Sequence, residues 1–365
     1  MLLFSPGDNR FRLHTSDSYS QNLEEIEMLK SLCTSLGALL VAASAAAPAP
    51  ALAQDTINLK FHSSFGEAGL NMAARWWMDE IEKRTDGKVK FERIFGGPLG
   101  KLAGAPTAIK AGSFDVGQVS AVYNPGLYRR ATLTVLPFLS DNVLAHSKAA
   151  HELFNDPEVN QEFTALNQKY MFPGMWATIE MMSYDPARTI EDLGEMKIRA
   201  HGGSADILKA LGMTPYAIPW GELPAAAERR VVDAAIMGAP TDAYDFGFGD
   251  IFSYWSRIKW YYFPLSFVMN MDTWNSLPED VQKTMEELNA TMPEQTYALY
   301  NAREMESEKA LIDGELVEVV AFEELDELKE ARLVVWDQWI ADRKAEDIDG
   351  QAVLDKFLAL VAKHE

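Results

Sequence analysis

The chain has one cysteine in 365 residues, Cys33, and that residue sits inside an apolar stretch near the N-terminus. With so little cysteine, the remainder can form no disulfide and carry out no thiol chemistry. Catalytic signatures are missing as well. There is no G-x-S-x-G elbow, no H-E-x-x-H helix, no phosphate loop and no dinucleotide glycine pattern. Positive charge is scarce: 33 basic residues stand against 54 acidic ones, a net charge of −21. Such an acidic surface argues against nucleic-acid partners and against binding to anionic membranes. Beyond the N-terminal stretch, no run is long and apolar enough to span a bilayer.

The segments present describe an exported α/β protein. Met28-Leu29-Lys30, an apolar small-residue stretch from Ser31 to Pro50, and Ala51-Leu52-Ala53 have the layout of a signal peptide cleaved after Ala53. Met28 fits as the start, because the acidic and polar residues 1–27 do not belong ahead of such a segment. Removal of residues 1–53 places the protein in the periplasm, and the length that follows suits two domains.

Ile57, Leu59 and Phe61 alternate as a strand, and Leu70 to Ile81 repeat with helical spacing. Strands around Val89 and at Asp115–Val119 flank a short helix at 106–111, a βαβ pattern that implies parallel pairing. The spacing predicts one helix over 143–169 and extended chain over 175–184. A strand through Arg199 is followed by helices over 204–211 and 223–230, and by a buried strand at 231–236. Extended segments fall near 259–263 and 265–270. Ser276-Leu277-Pro278-Glu279 reads as a Ser-capped helix start. That helix runs to about Ile312 with a kink at Pro293, which at 1.5 Å per residue reaches about 50 Å. His146 and His151, five apart, read as surface residues rather than metal ligands.

Arg199 carries the strongest chemical signal. It ends a short strand, Met196 to Arg199, just before Gly202-Gly203. Open α/β sheets bind ligands at that end of a strand, and a guanidinium offers a planar fork to a carboxylate. From spacing alone a surface salt bridge remains the plainer reading.

The order of several segments sharpens this. They are Ala111-Gly112-Ser113-Phe114-Asp115-Val116-Gly117, Leu136-Pro137-Phe138, Ile190 through Arg199, Leu211-Gly212-Met213-Thr214-Pro215, Gly221-Glu222-Leu223, Val231-Val232-Asp233-Ala234 and Trp274-Asn275-Ser276-Leu277-Pro278. Together they resemble the DctP-type substrate-binding proteins of TRAP (tripartite ATP-independent periplasmic) transporters. The resemblance implies a two-lobed periplasmic-binding-protein-like α/β fold, with mixed sheets flanked by helices, hinge strands and a long helix across both lobes. By this resemblance lobe I holds residues 54–177 and 265–305, and lobe II holds 178–264 and 306–365. It further implies a monomer that closes on a small organic acid, holds it through Arg199 and delivers it to a sodium-driven membrane permease, without cofactor or catalysis. Trp220 and Met237 match cleft positions of the family; Trp176, Tyr123 and Phe65 fall on the same cleft by analogy.

The departures from the family are informative. Sialic-acid binders carry a second arginine where this chain has Thr178-Ile179-Glu180, so sialic acid is not expected. Keto-acid binders carry Glu-Trp where Ile236-Met237 stands, so no bound sodium or other metal is expected. One arginine among Met and Trp suits a monocarboxylate with an apolar or aromatic body. Two other functions fit the sequence less well. One is a ligand sensor for a membrane receptor; the other is a secreted hydrolase using Glu67, Glu222 or Asp242.

Overall fold

The computed structural model describes residues 56–67, 69–174 and 178–365. The proposed cleavage site and Trp176 lie outside them. Alternation in Ile57–His62 makes β1, which pairs in parallel with β2 (Val89–Ile94) and β3 (Val116–Val119). The helix Met72–Arg84 crosses between β1 and β2 and buries Ala73, Ala74, Trp77, Met78 and Ile81. The sheet is completed by β4 (Gln168–Pro173) and β9 (Ser266–Asn270), in the order β2-β1-β3-β9-β4, with β9 antiparallel to both neighbours.

The second sheet runs β10-β8-β5-β7-β6, with β5 (Thr178–Ser183), β6 (Ile198–Arg199), β7 (Ala234–Gly238), β8 (Tyr254–Tyr262) and β10 (Glu318–Val320). β5 is antiparallel to β7 and β8, whereas β6 is parallel to β7. Every residue of β3, β5, β7 and β9 is buried, which explains why none of them alternates apolar with polar residues throughout, although Gln118, Glu180 and Asn270 are buried among the apolar ones. The chain changes sheet between β4 and β5 and again between β8 and β9.

Several elements depart from the spacing. The helix expected over 143–169 breaks at Asp156-Pro157, where Asp156 caps a new helix, Pro157–Thr164, and the chain then enters β4. The strand expected at 231–236 starts only at Ala234 and extends to Gly238, leaving Val231 exposed. β10 carried no alternation signal. Ser276 ends the helix Met271–Ser276 instead of capping the next one, and its hydroxyl donates back to the Thr273 carbonyl at 2.7 Å. The proposed 50 Å helix is two: Glu279–Asn289 and Met292–Asp313, with Pro293 in the first turn of the second. Proline has no N–H to donate, so it starts a helix more readily than it kinks one. The second piece, 22 residues long, spans about 33 Å.

His146 is not a surface residue. It is 1 % exposed, edge-on to Tyr262 at 5.1 Å and to Phe357 at 4.9 Å. Burial lowers its pKa to about 3. His151 is half-buried, with Nδ1 3.3 Å from the Tyr170 hydroxyl.

Gly203, in the first turn of the helix Gly202–Ala210, shows why the motif after Arg199 is glycine. A Cβ there would lie 2.4 Å from the Val135 carbonyl oxygen and 2.9 Å from the Pro137 ring nitrogen. The backbone contact locks this helix against the 131–138 segment. Gly203→Ala is expected to destabilise the protein by about 1–3 kcal/mol through overpacking, read as a lower urea midpoint; an unchanged midpoint would mean that the contact yields.

Candidate ligand-binding site

β6 is two residues long because the helix Gly202–Ala210 starts directly after His201, with Gly202 at a positive φ of 53°. β7 holds one side of β6, and Tyr216 bridges the other: Tyr216 N–H donates to the Ile198 carbonyl at 2.8 Å. Period-2 alternation puts Lys197 and Arg199 on the same face, but only the arginine is covered, by the segment carrying Ile218 and by β7: Lys197 is exposed, whereas Arg199 is only 5 % exposed. Its Nε–H donates to the Ile218 carbonyl at 3.2 Å, and Nη1 donates to the Ile236 carbonyl at 2.9 Å. These two bonds fix the plane of the guanidinium and leave three of its five N–H bonds without a protein acceptor among the described residues. No described carboxylate lies within ion-pair distance of it. Burial lowers its pKa to about 10, with Tyr261, Tyr123 and Asp242 opposing, so it stays cationic at neutral pH.

Arg199 forms part of the wall of a cavity of about 200 Å³. Phe65, Tyr123, Trp220 and Met237, all named from the sequence, line the same cavity. Trp220 turns its ring to the arginine, with Cζ 5.8 Å from the ring centroid, and stands edge-on to Phe246 at 5.1 Å. Met237 is buried in β7. Tyr123 is 46 % exposed and lies edge-on to Phe263 at 6.4 Å.

Phe65 hangs on a loop tied down from below. Ser63 Oγ donates to Gln118 Oε1 at 2.7 Å, Gln118 Nε2 donates to Asn71 Oδ1 at 3.1 Å, and Asn71 Nδ2 donates to the Gly66 carbonyl at 2.6 Å.

The cavity also takes in residues that the sequence reading did not assign to a binding site: Ile179, His201, Asp242, Phe246, Tyr261 and Phe263. No periodicity marks these positions, because most stand at the ends of strands or beside the crossings between sheets. Asp242 had a chemical signal only, as a carboxylate. Of the other two acids considered, Glu67 pairs with Arg75 at 3.6 Å and Glu222 is exposed; neither lines the cavity. Among the described residues, no three His, Cys, Asp or Glu side chains converge to hold a metal ion.

Behind the wall, Glu180 of β5 is buried and accepts the Trp255 Nε1–H at 2.5 Å. Burial pushes its pKa from the ordinary 4.5 up to about 8, with Trp255 and Arg257 opposing. The folded state therefore holds a proton that the unfolded chain releases, and stability falls as pH rises from about 4.5 to about 8. Glu180→Gln is expected to flatten that decline, seen by comparing urea midpoints at pH 5.5 and 8. An unchanged slope would assign the effect to Glu304 and Asp242, whose carboxyls burial also raises, each to about 7.

Residues 69–342 match the family model "DctP: Bacterial extracellular solute-binding protein, family 7". Over 252 residues the chain is 24 % identical to the 2,3-diketo-L-gulonate-binding periplasmic protein YiaO of Escherichia coli, covering 68 % of this chain and 76 % of that protein. A TRAP periplasmic solute-binding protein from Desulfovibrio salexigens superposes with a TM-score of 0.77 at 27 % identity, over 85 % of this chain and 97 % of that one. A second, from Rhodoferax ferrireducens in complex with copurified benzoate, gives 0.76 at 22 % identity, over 85 % and 98 %.

Proposed function

The chain belongs to family 7 of the bacterial extracellular solute-binding proteins, the DctP type that serves TRAP transporters, and from this we propose that it captures a monocarboxylate with an apolar or aromatic body at Arg199. The family is one of binding proteins, not of enzymes. The carrying observation is a buried, charged guanidinium with three free N–H bonds, facing an aromatic-lined cavity with no carboxylate of its own in ion-pair reach. A cation buried in this way has a strong demand for an anion, and a carboxylate accepts from it bidentately. A space of about 200 Å³ suits a small acid. Phe65, Tyr123, Trp220, Met237 and Trp176 decide the shape of the acid. The Rhodoferax relative, whose likeness is one of fold, holds such an acid, benzoate.

In this reading the protein works as a monomer in the periplasm after loss of residues 1–53, without cofactor or metal. The two sheets belong to lobes that close over the acid, with 54–177 and 265–305 on one side and 178–264 and 306–365 on the other. The closed form delivers its load to a sodium-driven TRAP permease. Closure excludes water and strengthens the ion pair at Arg199.

Arg199→Ala is expected to weaken binding about a hundredfold or more while leaving the fold intact; affinity within a few-fold of the parent would remove Arg199 from the site. Mass spectrometry of ligand released from the purified, denatured protein should show an organic acid. Melting temperatures across a panel of acids should rise most with apolar or aromatic monocarboxylates, and stabilisation only by dicarboxylic or polyhydroxylated acids would refute that class.

A further inference from the structure

The polar groups around the cavity are engaged to different degrees. Tyr261 spends its hydroxyl proton on the His201 carbonyl at 3.2 Å. The His201 ring sits with Nε2 3.1 Å from the Ile218 carbonyl, and burial holds its pKa near 4, so the neutral ring donates from Nε2. Arg199 is held by two carbonyls. Asp242 differs. It stands in the short helix Thr241–Asp245, lines the same cavity, and its carboxyl has neither a hydrogen-bond nor an ion-pair partner among the described residues. Its neighbour Asp245 is paired with Arg303.

We propose that Asp242 reads a hydrogen-bond donor on the bound acid, so that the protein selects monocarboxylates carrying a hydroxyl group on an otherwise apolar body. The inference rests on the reading of Arg199 as the carboxylate holder: one end of the ligand goes to the arginine, and the hydroxyl to the aspartate. An enclosed carboxyl left unpaired by a purely apolar occupant loses its water and gains nothing in exchange. A site built around a polar group discriminates strongly against the analogue that fails to satisfy it. A hydroxyl suits Asp242 in both protonation states, because it donates to the carboxylate and both donates to and accepts from the neutral acid.

The surroundings set the protonation. Asp245 on the same helix, Tyr300 and Glu304 on the helix Met292–Asp313, and Arg199, His201, Tyr123 and Tyr261 on the other walls are the described titratable groups around it. β7 contributes none. Burial raises the Asp242 carboxyl to about 7, with Asp245 adding and Arg199 opposing. An arriving anion adds a further negative charge, so binding draws a proton onto Asp242, and affinity falls as pH rises through about 7.

Isothermal titration with two matched pairs, benzoate against 3-hydroxybenzoate and phenylacetate against mandelate, tests this at pH 6 and pH 8. The wild-type protein is expected to prefer the hydroxylated member of at least one pair by about tenfold. It should bind that member more tightly at pH 6. In Asp242→Leu the preference disappears, the unsubstituted acid binds at least as tightly as before, and the pH dependence is lost; tight binding of that acid also shows that the variant is folded. Should the leucine variant fail to fold, Asp242→Asn retains the preference and loses the pH dependence. Equal affinities within both pairs, a preference that survives in Asp242→Leu, or affinity that rises with pH would overturn the proposal. If none of the four acids binds, the monocarboxylate reading of the cavity itself falls, and this one with it.

Discussion

The site depends on a single expensive arrangement: a guanidinium buried with no described carboxylate at ion-pair distance to neutralise it. Removing a charge from water costs far more than two hydrogen bonds to carbonyls return. The Ile218 and Ile236 carbonyls fix where Arg199 points without cancelling its charge. Those carbonyls come from the loop before Trp220 and from β7, so both must be correctly placed for the arginine to be oriented at all. A protein aspartate at ion-pair distance would have made the fold more comfortable and the cavity inert to anions. In the proposed reading the unfilled charge is the source of the function.

The remaining structure gives this charge a shaped setting. Ladder pairing on one side and the Tyr216 bridge on the other hold β6 rigidly although it is two residues long. The Gly203 contact with Val135 and Pro137 presses the following helix against the segment carrying Phe138. The Ser63–Gln118–Asn71 network does comparable work beneath Phe65. Sites of this kind need their supporting bonds as much as the residues that face the cavity.

What could be read from the sequence follows from the range of the physics involved. Period-2 and period-3.6 patterns report local burial, and they placed β1 to β3 and the helix at Met72–Arg84 well. The break at Asp156-Pro157 has a sequence signal, a cap followed by proline, which helical spacing over 143–169 does not report. Arg199 stood out because strand ends before glycine have chemical meaning. His146 was misjudged because spacing alone does not reveal that Tyr262 and Phe357, more than a hundred residues away, enclose it. Phe246, Tyr261 and Phe263 escaped for the same reason. Their role comes from how two sheets face one another, and no local pattern encodes that.

The ends of β5 and β8, where the chain changes sheet, bear on how an occupant is judged. Ile179, Tyr261 and Phe263 line the cavity, and they stand within a residue or two of the points where the chain leaves one sheet for the other. Under the proposed closure, the backbone torsions that swing the lobes would belong to residues lining the cavity, or to their immediate neighbours. A molecule of the wrong shape would then obstruct the pivot as well as fit the walls poorly. Under that closure recognition and the mechanical gate would be one event, with an ill-fitting acid rejected before it is enclosed.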